Sequence, residues 1–504
     1  MPESSADIDA NGAPRAQPLN APGRAVGLAA LALIAVGVLY ARNTAGPQAA
    51  PPAPQAPLDW LAVLVGPSHG TLEPCGCAGG MLGGIDRLAT AVAVQRQSRS
   101  APSLAIAAGG VLSEEARTSG ILDWQRAQLD ALFFSYGQMQ IDAFGLSSQE
   151  LGMPRSHLDA AKGYLGNVPI VATNVFDETG APVFAPVHKD AASGVHVLCF
   201  VAPGRWSADS ATARAADEGA GDGPVAWESL DPADAIARHA EAGIGIGEPG
   251  QRIALVEGDE ARAATVAALL APSDVVVWFS GTGDASGQLV PVGPADALRP
   301  GGFLGERLRH VVTVRARGDT RQWERYGVEA SLPADAALTA AREYYREFLA
   351  GSDVVGQFAG HLGPHPRGAF SGSASCASCH QDAHAIWGEG LHARAIETLH
   401  KDYRGVAQAI ADPACVRCHS VGFGYATGFA AADAPGGPSR DALAVLAGVG
   451  CEACHGPGAR HVVSALASDI LRSDETTCME CHDADNDPNF DFKRKWPMIV
   501  HDEP

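Results

Sequence analysis

Basic residues are scarce in this chain of 504. Its 36 lysines and arginines stand against 57 acidic residues, a formal charge of -21. A surface so acidic repels nucleic-acid phosphates and anionic lipid heads, so neither is an expected partner. Aromatic residues are sparse, at 6 %. Cysteine is nearly absent outside one region: of eleven, only Cys75, Cys77 and Cys199 fall outside the stretch Cys376 to Cys481. That distribution excludes a general disulfide framework. No repeat of about 20–50 residues appears apart from the cysteine motif, which excludes a repeat architecture.

Long apolar runs are missing with one exception, "AVGLAALALIAVGVLYA" from Ala25 to Ala41. Its length is the lower limit for crossing a bilayer. Arg15 and Arg24 precede it and Arg42 follows. The polar segment before it is long for a signal peptide, and only weak cleavage sites follow. The reading is an uncleaved signal anchor over 25–41 behind a cytoplasmic tail over 1–24, with a cleaved signal peptide as the alternative. Both export the rest of the chain. The Pro-rich segment over 42–57 reads as an extended spacer.

From 58 to 332, strand-like and helix-like patterns alternate. Short apolar runs such as "WLAVLVG" (Trp60 to Gly66), "SLAIAAGG" (Ser103 to Gly110), "RIALVEG" (Arg252 to Gly258) and "DVVVWFSG" (Asp274 to Gly281) end in glycine or polar residues. Helical patterns such as Asp123 to Gln140 lie between several of them. This alternation predicts an α/β domain. The Ala-, Asp- and Gly-rich stretch from Ser207 to Gly223 reads as an exposed loop. A helical linker over 333–362 follows, and a mostly α domain over 363–504, where strand patterns fade and Cys, His, Gly and Pro increase.

That last region carries Cys-x-x-Cys-His four times: "CASCH" (Cys376, Cys379, His380), "CVRCH" (Cys415, Cys418, His419), "CEACH" (Cys451, Cys454, His455) and "CMECH" (Cys478, Cys481, His482). The pentapeptide reads as a c-type haem attachment site, two thiols for thioethers and the adjacent imidazole for the iron. Zinc binding by cysteine pairs is the alternative, but zinc does not require a histidine after every second cysteine. Four covalently bound haem c groups are therefore expected. About 35 residues per haem are too few for an ordinary core, so the cofactors must supply much of it. Free histidines are plentiful, Met479 sits badly inside a motif, and Met498 is a weaker ligand candidate. This composition favours bis-histidine, low-potential haems.

The region from Gly372 to His501 resembles the tetrahaem cytochrome c family typified by the electron carrier of hydroxylamine oxidation. The matching pieces are "CASCH" followed by "WGEGLHARA", then "CVRCHSVGFGYATGF", "GVGCEACHGPGARH", and "CMECH" with a late "IVH". The resemblance implies that His392, His461 and His501 are distal ligands, ahead of His361, His365, His384 and His400. It also implies that one haem can be five-coordinate.

The first domain resembles the 5'-nucleotidase, metallophosphatase-like family, through "LAVLVGPSHGTLEPCGCAGGMLGGIDRLAT", "DAFGLSSQELG" and "VPIVATNVFDETG". It looks most like the branch with a Pro-Cys-Gly-Cys motif, here Pro74 to Cys77. That resemblance implies a sandwich fold with a two-metal site, yet of the implied ligands only His69 and Glu150 remain. Such a remnant cannot hold two divalent ions, and phosphoester hydrolysis is not expected. Cys75 and Cys77 are candidate redox or soft-metal thiols, with incidental loop thiols as the alternative. Cys199, in an apolar strand, reads as an inert buried thiol.

The combined reading is an inner-membrane-anchored, periplasm-facing tetrahaem cytochrome that transfers electrons between redox partner proteins, with no catalytic residue assigned. Two rivals are an oxidoreductase acting on a small nitrogen or sulfur compound at an open haem, and a phosphoester hydrolase of the 5'-nucleotidase kind.

Overall fold

The computed structural model describes residues 59–75, 82–97, 101–113, 123–207, 225–249, 251–279, 301–303, 308–400, 409–430, 444–482, 486–487 and 489–501. The expected tail, anchor and spacer over 1–57 lie outside these, as do Cys77 and nearly all of the loop expected between Ser207 and Gly223. Among the described residues no helix is long and apolar enough to cross a membrane.

The strands run in chain order as β1 (Trp60–Val65), β2 (Pro74–Cys75), β3 (Leu82–Gly83), β4 (Ser103–Ala108), β5 (Ala143–Gly145), β6 (Ile170–Val171), β7 (Val175–Asp177) and β8 (His188–Lys189). They continue as β9 (His196–Phe200), β10 (Arg205–Ser207), β11 (Val225–Ser229), β12 (Arg252–Glu257), β13 (Val275–Phe279), β14 (Gly301–Phe303), β15 (His310–Arg317) and β16 (Thr320–Gly327). One sheet has the order β16-β15-β1-β4-β5-β6, and a second the order β14-β13-β12-β9-β8. β1 pairs in parallel with β4 and antiparallel with β15. In the second sheet β12 is parallel to both β9 and β13.

The alternation of side chains along each strand decides how the sheets stack. Ala62, Leu64, Leu104 and Ile106 face one way and join Val197, Cys199, Ile253, Leu255 and Val275 in a core between the two sheets. Val63, Val65, Ala105 and Ala107 face the other way, under helices α1 (Ile85–Gln97), α2 (Asp123–Gln138) and α3 (Arg155–Leu165). On the far side Leu198, Phe200, Ala254 and Val256 pack with Ala263, Val266 and Ala267. A helix α4 (Pro232–Glu241) and then α5 (Glu260–Leu269), which carries those last three, lie along the second sheet. Strands covered on both faces read as unbroken apolar runs, which is how "WLAVLV" and "VVVWF" look.

The segment expected to link the two parts is built into the first one. Helix α6 (Ala336–Gly351) starts at Asp335, whose side chain accepts from the amides of Ala337 and Leu338. It buries Leu338, Tyr345 and Leu349 in the same core as α1 and α2. Arg346 makes a two-point ion pair with Glu73, and Arg342 reaches Asp86 at 3.1 Å. Amphipathic spacing foretells a helix but not which core takes its apolar face.

From Val354 onward the chain is short helices and turns. Phe358 bridges the two parts, edge-on to Trp124 of α2 at 6.4 Å and against Phe423 at 5.2 Å. Behind it sits a small core of Ile396, Leu399, Ala409, Val416 and Phe423.

Candidate haem centre

Each Cys-x-x-Cys-His motif sits on a short helical turn. Those turns are Ser373–Cys376, Pro413–His419, Cys451–His455 and Glu475–Met479. One turn of helix brings the amide of the motif histidine back to the first cysteine. His380 N donates to Cys376 O and His482 N to Cys478 O, each at 2.9 Å. Both sulfurs and the imidazole of a motif thus gather at one spot.

The motifs touch one another. Cys376 lies beside Cys451, and Cys418 beside Cys481. Cys454 lies close to Cys478, and burial pushes its thiol up to about 11. The contacts run from the first motif to the third, the fourth and the second.

Three motif histidines face a second imidazole from elsewhere in the chain. His380 faces His461 with ring centroids 6.2 Å apart, His482 faces His392 at 6.1 Å, and His455 faces His501 at 5.9 Å. Metal–imidazole bonds are ~2.0–2.1 Å, so a metal held between two ring nitrogens spaces the centroids by about 6 Å. In four of these six histidines the other ring nitrogen is taken. Nδ1 of His455 bonds Leu471 O at 2.9 Å, Nδ1 of His461 bonds Leu466 O at 3.0 Å, and Nδ1 of His501 bonds Ile499 O at 3.2 Å. Nδ1 of His482 bonds the Asp487 carboxylate at 2.9 Å. Anchoring Nδ1 leaves Nε2 for a metal and fixes the ring plane. The fourth motif histidine, His419, bonds Ala395 O through Nδ1 at 2.8 Å. The eight thiols and seven imidazoles therefore fit covalent haem c with two-sided ligation at three motifs.

The other histidines have different company. His361 stacks on Phe358, His365 packs edge-on against Phe370 and Tyr425, and His384 leans on Trp387. Met479 and Met498 are exposed.

Two carboxylates in this region carry no signal in a motif search. Glu452, between the cysteines of the third motif, is only 3 % exposed. It accepts from the amides of Ser371 at 2.8 Å, Gly372 at 2.6 Å and Gly458 at 2.6 Å. Those amides flank the segments that carry His380 and His461, so one side chain registers both members of a facing pair. Asp487 is the other. His392 is held through its backbone, where its carbonyl accepts from Val449 N at 2.9 Å. Gly448 beside it has φ +81°, and an added Cβ would sit 2.6 Å from Ala393 O, so only glycine fits.

In the first part, His69 and Glu150 both bond the backbone of Gly110. His69 N donates to Gly110 O at 2.9 Å. Glu150 is fully buried and accepts from Gly110 N, Val111 N, Ser147 N and Ser147 Oγ. Next to it Glu257 accepts from Ser148 N, Ser148 Oγ and Ala202 N. Burial raises the Glu257 pKa despite those donors. These carboxylates cross-link the loop ends after β4, β5, β9 and β12. No group of three or more His, Cys, Asp or Glu placed to hold a metal ion occurs among the described residues. Cys199 is buried, donates to Leu146 O at 3.1 Å, and is held protonated by burial. Cys75 pairs through its backbone with Leu82 in a two-residue hairpin.

Residues 375–456 match the family described as cytochrome c554 and c-prime. That span holds the first three motifs, and the fourth lies beyond it. Cytochrome c-554 of Nitrosomonas europaea is 37 % identical over 99 residues, covering 18 % of this chain and 39 % of that one. The chain thus spans about two fifths of that curated relative. Solved structures overlap the larger part of the chain more loosely. The sulfate thiohydrolase SoxB of Thermus thermophilus aligns with 60 % of this chain and 62 % of that one, at 12 % identity and TM-score 0.43. A 5'-nucleotidase precursor from the same organism aligns with 58 % and 59 %, at 17 % identity and TM-score 0.41. The sequence match and the haem-fitting residues agree on the C-terminal part: it is a c-type cytochrome segment, a class that carries covalently bound haem c.

Proposed function

We propose that this chain is a tetrahaem c-type cytochrome that relays electrons, and that the α/β part is a docking or sensing module built onto it. The observation that carries the reading is the set of three facing imidazole pairs. Each joins a motif histidine to a histidine from another segment. Haem c, when bound, supplies one-electron chemistry at iron. The chain's own residues do the rest. Eight cysteines would attach the groups, His380, His419, His455 and His482 would ligate the irons, and His461, His501 and His392 would supply a second imidazole to three of them. Paired imidazoles favour low potentials. The contact order of the motifs, first to third to fourth to second, sets the order of the relay sites.

The partners we propose are other redox proteins or a quinol-linked membrane enzyme. The apolar run over 25–41 would anchor the chain, with the cytochrome part facing the periplasm, where c-type haem is attached. The α/β part is metallophosphatase-like in sequence. We assign it no hydrolysis, because Glu150 spends its oxygens on four local donors.

Rapid mixing of the oxidised holoprotein with a low-potential reductant tests the relay. All haems should reduce together in fast phases, because the motifs are in contact. Reduction of a single haem, with the others lagging by orders of magnitude, would overturn it. A small nitrogen or sulfur compound that reoxidises the protein catalytically would shift the reading to an enzyme.

A further inference from the structure

The hydrogen-bond partners of the ligand histidines are not alike. His419, His455, His461 and His501 each give Nδ1 to a backbone carbonyl, a neutral acceptor. His482 alone, among the described residues, gives Nδ1 to a carboxylate, Asp487 Oδ2 at 2.9 Å. The Asp487 side chain is 11 % exposed. Among the described residues no lysine or arginine pairs with it. The contact is braced from two sides. Phe490 stacks on the His482 ring at 4.5 Å with planes 17° apart, and its amide donates to Asp487 O at 2.9 Å. Phe490 and Asp487 therefore hold both the face and the edge of this imidazole.

A ring whose Nε2 is committed to a metal keeps its proton on Nδ1. A carboxylate accepting that proton draws it away from the ring and makes the imidazole a stronger donor. A stronger donor stabilises the ferric ion over the ferrous ion. A negative charge so little exposed acts in the same direction, because reduction removes a positive charge that it was stabilising. A carbonyl does neither to the same degree.

We infer that Asp487 is a positioning and tuning residue for the His392/His482 haem and makes it the lowest-potential member of the set. The inference rests on the relay reading above and adds an order to it. Electron transfer alone would be involved, with no bond or proton exchanged. In a reductive titration at equilibrium the other haems would fill first, and the His392/His482 haem would be reduced at the lowest potential. In the contact order it lies between the third motif and the second, so it acts as a step in the middle of the relay, and its height sets how readily electrons reach the second motif.

The test is an optical redox titration of the full-length holoprotein and its Asp487→Asn variant, with covalent haem measured in both. The amide keeps the shape and can accept the same hydrogen bond, but it carries no charge. The lowest wave should move upward by about tenfold in its equilibrium constant, ~59 mV for a one-electron couple, while the others stay nearly fixed. An unchanged lowest wave at full haem content overturns the inference and leaves the relay reading intact. His392→Met supplies an independent check should the first variant fail to load haem. Methionine ligation raises the potential, so the wave displaced must be the lowest one, and displacement of any other wave overturns the inference. Absence of covalent haem from the parent protein would instead remove the relay reading itself.

Discussion

The two parts of this chain solve the same problem by opposite means. The α/β part fills its interior with its own side chains. Leu64, Leu104, Phe144 and Phe200 are wholly buried, as are tens of other apolar residues. The cytochrome part has a small core around Phe358, Val416 and Phe423, while Leu391, Val463, Leu466 and Met498 lie exposed at 85, 89, 58 and 70 %. Its own side chains thus leave many apolar groups beside the facing histidines uncovered, as suits a segment whose core large apolar cofactors would complete. One part is made by sequence alone, and the other by sequence together with covalently attached haem.

The largest effect should come from breaking that dependence. Replacing all eight motif cysteines with alanine should leave the α/β part folded and the stretch from Cys376 to His482 open to proteases. Limited proteolysis checks this, and a resistant fragment covering that stretch would erase the contrast. Second in size is Phe144→Ala, which empties a site packed against Phe133 and Tyr136. It should cost the α/β part ~3–5 kcal/mol in denaturant unfolding and leave the haem spectrum unchanged.

Much of the difference between the parts is legible in the sequence, for unequal reasons. The attachment motif is local: thiols and imidazole lie within five residues, so no fold is needed to read it. The strands are legible because both faces of each sheet are covered, which leaves unbroken apolar runs. Three things are not legible. The helix from Ala336 to Gly351 reads as a connector, because spacing shows an apolar face but not its partner. Glu452 joins residues some eighty positions away, and nothing local marks a buried carboxylate that serves backbone amides. Asp487 stands five residues past His482, with no pattern to separate it from its acidic neighbours.

Smaller effects sharpen the comparison. Glu452→Ala leaves three amides without their acceptor, two of them buried, at ~1–3 kcal/mol for a buried group. It should loosen His380 and His461 together, seen as a broadened low-spin signal of one haem only. In the α/β part, burial, together with Arg325 and Arg309, lowers the His310 pKa to about 4. Its unfolded value is about 6.5. As pH falls from about 6.5 to about 4, the unfolded chain takes up a proton that the folded chain refuses, so stability drops across that window and levels off below it. His310→Gln should flatten that part of the profile, as read by thermal unfolding against pH. Smallest is Asp335→Ala, which removes the cap of α6 at ~1 kcal/mol in denaturant unfolding.

The central claim is that four haems are covalently held and that three of them lie between paired imidazoles. Pyridine haemochrome quantification with the electron paramagnetic resonance spectrum of the oxidised holoprotein tests it most directly. The account predicts four haem c groups per chain, with at least three low-spin. Fewer than four covalent haems, or high-spin signals from two or more of them, would contradict it.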